Sequence, residues 1–252
     1  MKKTIILIAI MLLALTLSAC RAPTGAETEL PQAQLRTQKQ QAEGAGTAAP
    51  KNTAAGQNAK SANSELSQAE AAGLLFMREE EKLAYDLYKA FYELWGTPVF
   101  GNIAACELTH MNSIMMLLQK YGLPDPAVNA IVGEFDNADL QALHDELFAQ
   151  GQSSLENALR AAAAVEEIDI LDLEEYIRLT ERADIIQVYE NLLAGSRNHL
   201  RAFVSLLENR SGQPYQPAFL TDADYQAIYQ SEFESGGQGQ PGGYGPGGQG
   251  NN

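Results

Sequence analysis

Two cysteines, three histidines and one tryptophan occur in 252 residues. So few cysteines exclude a disulfide-stapled scaffold and a structural Cys₄ zinc site. So few histidines exclude a His-rich metal site, though not a carboxylate-rich one. Cations are also scarce: 17 Lys+Arg stand against 32 Asp+Glu, a formal charge of −15. That balance excludes a general nucleic-acid binder, because phosphate contacts need clustered cations. There is no rubredoxin-type Cys-x-x-Cys pair and no flavin or haem motif. No stretch alternates apolar and polar residues for long, which argues against a sheet.

What is present falls into unlike pieces. Residues 1–19 have a basic start (Lys2, Lys3) and an uncharged run over 5–15, too short to span a bilayer and suited to a signal-peptide core. The run ends in Leu17-Ser18-Ala19-Cys20, which resembles the lipobox of bacterial lipoproteins. The resemblance implies cleavage before Cys20, lipidation there (palmitate among the acyl chains), and an extracytoplasmic protein anchored to the cell membrane or the outer membrane. Several acyl chains on one residue hold stably where a single chain does not. Residues 20–63 contain Leu30 and Leu35 as their only large apolar side chains, too little burial to offset chain entropy, so they read as a tether. Residues 235–252 are Gly-rich and uncharged, a second tail. Residues 64–234 hold 29 acids and 10 bases, a charge of −19, so the acidity belongs to the foldable domain.

Within that domain the apolar period is helical and Gly or Pro punctuates it. Long helices are predicted over about 64–94, 100–121, 153–179 and 184–208, with short ones over about 138–150 and 222–233. The link over 122–152 is far longer than a helix hairpin needs. These features predict an all-α, ferritin-like four-helix bundle with a crossover between the second and third long helices that contains a short extra helix.

Each predicted inner stripe is apolar but for one interruption: Glu80 on the first helix, Glu107 and His110 on the second, Glu166 on the third, and Ser196 with His199 on the fourth. A buried unpaired carboxylate costs several kcal/mol, so polar groups on four inner faces need a shared partner. A metal ion is the economical one. Glu107-x-x-His110 turns two ligands to the same side of a helix, and carboxylate with imidazole suits iron, manganese or zinc.

The runs Arg78-Glu79-Glu80-Glu81-Lys82-Leu83-Ala84-Tyr85-Asp86, Phe100-Gly101-Asn102-Ile103-Ala104-Ala105-Cys106-Glu107-Leu108-Thr109-His110, Glu166-Glu167-Ile168-Asp169 and Gly195-Ser196-Arg197-Asn198-His199 resemble the DUF2202 family. The resemblance implies a ferritin-like fold and no particular activity. Rubrerythrin-like sites carry Glu on two helices and Glu-x-x-His on the other two; Ser196 here stands where the fourth carboxylate is expected. Asp169, three residues after Glu166, is the substitute in the first reading, a binuclear site of iron or manganese. A single ion held by two Glu and two His, or a buried polar network without metal, also fits the stripes.

Other candidates have plainer readings. Glu79, Glu81, Glu167, Asp172 and Glu174 are expected on solvated faces, and His144 on the surface. Cys106 reads as a small buried residue, Tyr189 as core, and Arg197 and Arg201 as partners of helix carboxylates. The expected function is a surface-anchored metal-binding protein acting on ferrous iron, dioxygen or peroxide, with its reductant supplied by a partner. The contrasting class is a tethered acidic interaction module, without catalysis, whose single metal, if any, supports folding. Self-association as a homodimer stays open.

Overall fold

The computed structural model describes residues 65–128 and 130–235. The signal segment, the tether with Cys20, residue 64 and the Gly-rich tail beyond residue 235 lie outside the described residues. Six helices and no strand occur among them: α1 (Gln68–Trp95), α2 (Pro98–Tyr121), α3 (Ala138–Gly151), α4 (Leu155–Arg178), α5 (Ala183–Ser211) and α6 (Asp222–Tyr229). No described helix is long and apolar enough to cross a membrane.

Local chemistry sets the boundaries. Ser67 and Glu70 close a reciprocal capping box at the start of α1, satisfying two otherwise orphaned amides. Gly96 ends the helix at φ 61°, a left-handed conformation that favours glycine. Pro98 then opens α2 at a position where its missing N–H is not needed. Asn137 and Ser154 cap α3 and α4 through their side chains.

The short α1–α2 and α4–α5 links make each of those pairs antiparallel. Gly73 near the start of α1 packs on Tyr176 near the end of α4, and Tyr88 reaches the Ala162 carbonyl near its start. α1 and α4 are therefore antiparallel too. Likewise Tyr121 at the end of α2 donates to Asp184 at the start of α5, while Phe100 meets Phe203. It follows that α2 and α4 run parallel, so the chain must return the length of the bundle between them. That is the physical reason for the long crossover.

Aromatic layers close the interior above and below its middle. Tyr88, Phe91, Phe100 and Phe203 form one, with ring centroids 5.0–5.6 Å apart. Tyr176 forms the other with Phe76 and Tyr189, at 5.9 and 6.3 Å. Tyr189 is thus core.

Five expectations about exposure are overturned: Glu79, Glu81, Glu167, Asp172 and His144 are all buried. The crossover and the C-terminal segment cover faces that a bare four-helix bundle would leave wet. Arg78 holds Asp125 through two hydrogen bonds of 2.9 and 3.0 Å. Lys82 pairs with Asp86 and donates to the carbonyls of Ile131 and Glu134. Glu79 accepts from the amides of Asp136 and Asn137, so the crossover is fastened along α1. Glu167 accepts from the Tyr215 hydroxyl and the amides of Ala218, Phe219 and Leu220, fastening the C-terminal segment to α4. His144 packs between Phe135 and Phe148. Glu174 stays half-exposed and pairs with Arg197, and Arg201 pairs with Glu234. Cys106 is a free, half-buried thiol.

Candidate metal centre

Between the aromatic layers lies one polar stratum, to which all four long helices contribute. The buried stripe of α1 runs Leu74, Met77, Glu81, Ala84, Tyr88, Phe91, spacings of three and four that keep one helix face inward. Glu81 is therefore the α1 carboxylate that reaches the stratum. The expected Glu80 is buried as well, but about 100° round the helix, where its charge bears on Tyr176 of α4. This corrects the register read from the sequence by one residue.

The other expected residues come together. Ligand atoms of Glu81, Glu107 and His110 lie within 4.8 Å of one another, as do those of Glu107, Glu166 and His199. Glu107 belongs to both groups. Its Oε2 is 2.8 Å from His110 Nδ1, and its Oε1 is 2.8 Å from His199 Nδ1. Each oxygen of one carboxylate thus faces a different imidazole. His110 Nδ1 also lies 3.2 Å from Glu81 Oε2, and His199 Nδ1 lies 3.6 Å from Glu166 Oε2.

Asp169 joins from α4, where it accepts a short hydrogen bond from the Ser196 hydroxyl. The residue on α5 that lacks a carboxylate thereby orients one from the neighbouring helix. Two further supports had no notice in the stripe pattern. Tyr88 donates to Glu166 Oε1 at 2.6 Å. Gly195 leaves room for His110: a Cβ there would stand 2.7 Å from two atoms of that ring. The spacing of Tyr88 from Glu81, seven residues along one face, was the available signal for the former. Nothing local marks the latter, since the clash is with another helix.

The electrostatics are those of a site short of positive charge. Burial pushes Glu81 up to about 7 despite the neighbouring His110, and burial with the Glu107 charge pushes Glu166 up to about 7. Burial, with Glu81 and Glu166 nearby, drives Asp169 well above the carboxylate range. Burial would also raise Glu107, but His199 and His110 outweigh it and hold that carboxylate well down. Both imidazoles are held well above their ordinary value: burial opposes this, but Glu81 and Glu107 around His110, and Glu107 and Glu166 around His199, prevail. Glu81 Oε1 and Asp169 Oδ1 are buried without a hydrogen-bond partner. Such atoms are rare in folded proteins and ask for an explanation. Four carboxylates and two imidazoles fit a pair of divalent cations in both charge and donor type.

An all-α bundle with a carboxylate-rich interior is the class that fold and site define. The chain belongs to the DUF2202 family, described as an uncharacterized protein domain, whose model matches residues 70–232. It is 44% identical over 171 residues to the uncharacterized protein MJ0754 of Methanocaldococcus jannaschii, covering 68% of this chain and 92% of that one. It is also similar to the crystal structure of the hypothetical protein MJ0754 from Methanococcus jannaschii DSM 2661. There the TM-score is 0.66 at 43% identity, with 70% of this chain and 100% of that chain covered.

Proposed function

We propose that the domain is a dinuclear metal carrier of the iron or manganese type, displayed outside the cytoplasm on a lipid-anchored chain. The observation that carries this reading is Glu107, whose two oxygens each face a different imidazole within two ligand groups that share it. A pair of such ions supplies redox chemistry toward dioxygen or peroxide, which makes ferrous oxidation or peroxide reduction the activity class.

The chain's own residues bind and orient. Glu81 with His110 would hold one ion and Glu166 with His199 the other, with Glu107 available to both groups. Asp169 adds charge, fixed by Ser196, and the Tyr88 hydroxyl fixes the rotamer of Glu166. Partners of this kind set ligand orientation and basicity. The aromatic layers on either side exclude water. The acids of residues 64–234 raise the local cation concentration. Any reductant comes from a partner.

Elemental analysis after anaerobic ferrous or manganous loading tests the reading, with about two ions per chain expected. One tightly bound ion would favour a mononuclear structural site, and fewer than ~0.2 would leave a metal-free acidic module. Ferrous-dependent consumption of oxygen or peroxide separates enzyme from scaffold. For the anchor, acyl labelling with palmitate should be lost in Cys20→Ser, and retention of label would refute the lipobox reading.

A further inference from the structure

We propose that the outer face of α2 is a self-association surface, on which two copies of this chain pair through antiparallel α2 helices centred on Asn112. Among the described elements α2 packs only against α1 and α5. By contrast, α1 is covered by the crossover, and α4 by α3 and the segment that Glu167 fastens. α2 therefore leaves Ala105, Leu108, Thr109, Asn112, Met116 and Gln119 exposed along its length. Leu108 is 44% and Met116 66% exposed.

Charge separates this face from the rest of the domain. Between residues 98 and 119 the ionisable side chains other than Cys106 are Glu107 and His110, and both turn into the metal centre. Lys120, at the end of the helix, pairs with Asp184 at 2.8 Å. Gln187 and Asn191 of α5 share a stripe with Asp184 and Gly195, which touch α2. They hydrogen-bond to each other at 3.3 Å and extend the uncharged strip. Residues 64–234 carry −19, so two copies repel through almost any other approach, while this face brings them together without juxtaposing like charges.

The spacing is self-complementary. Leu108 and Met116 lie four residues on either side of Asn112. A two-fold axis there sets Leu108 of one copy on Met116 of the other, and the reverse. α2 is about 36 Å long, and with its α5 flank it offers a strip about 20 Å wide. The resulting ~700 Å² per copy approaches the ~800 Å² of a standard interface.

Sedimentation velocity of the full chain in detergent should show a dimer. Leu108→Glu and Met116→Glu should each weaken it by about tenfold or more, with helix content, and melting measured in the dilute monomer, unchanged because both side chains are on the surface. The double variant Leu108→Lys/Met116→Glu should restore the dimer, since each lysine then meets a glutamate across the axis. Leu179→Glu, exposed elsewhere, should leave it intact. A monomer up to about 100 µM, a dimer indifferent to Met116→Glu, or a double variant that stays monomeric would each overturn the proposal.

Discussion

Two buried carboxylates on different helices have opposite surroundings. Glu167 is fully buried, and its oxygens accept four hydrogen bonds from one segment of the chain. Glu107 is equally buried, yet its neighbours are two imidazoles and three more carboxylates, all of them ionisable. Folding alone satisfies the first, so it serves architecture. The second sits in a cluster whose charge balance depends on protonation, which makes it the candidate site.

The sharpest way to break this contrast is to remove each group. Glu107→Ala should abolish binding of both ions, from about two per chain to near zero, because it belongs to both ligand groups. His144→Ala, remote from them, should leave metal content unchanged; equal loss in both variants would discredit the site. Glu167→Ala should instead destabilise the domain by about 3 kcal/mol in urea unfolding, since it strands buried donors.

Asp169→Asn tests the opposite sign. It removes a carboxylate that burial and neighbouring charge disfavour, so the metal-free domain should gain about 1 kcal/mol while metal affinity falls. A loss of metal-free stability would place Asp169 with Glu167 as a structural group.

Acidity sharpens the comparison further. Glu81 and Glu166 are raised from an ordinary 4.5 to about 7, and Asp169 moves the same way. A group whose folded-state pKa is raised stabilises fully below its unfolded value and loses that contribution as pH rises through the folded one. Glu107, lowered, contributes above its unfolded value and fails on acidification. Between about pH 5 and pH 8, therefore, the melting temperature of chelator-treated protein should fall. Metal binding should tighten over the same range, because it releases the protons. A melting temperature that climbs over this range would contradict the raised values.

The smallest expected effects belong to the supports. Gly195→Ala crowds His110 and Tyr88→Phe frees Glu166; each should weaken metal affinity by roughly 10- to 100-fold in chelator competition. Effects below about twofold would show that neither residue orients a ligand.

Much of this was legible along the chain. The four long helices announced themselves by period, and the ends of the first two by the glycines at 96 and 122. The crossover followed from loop length. Glu107, His110, Glu166 and His199 stood out as polar breaks in apolar stripes, and Asp169 by its place three residues after Glu166. The α1 register did not: Glu79, Glu80 and Glu81 are adjacent acids, and a helical stripe drawn through Phe76 and Leu83 selects Glu80. The stripe through Leu74, Met77, Tyr88 and Phe91 selects Glu81.

Sequence by itself determined helix type, helix limits and the presence of one polar stratum, because these depend on period and local capping. Only the tertiary structure decided which acids are buried for architecture and which for the site. Glu79 and Glu167 looked like surface charges until the crossover and the C-terminal segment folded over them, and Gly195 looked incidental until His110 packed against it. Such distinctions rest on contacts between residues far apart in the chain, which no local pattern encodes.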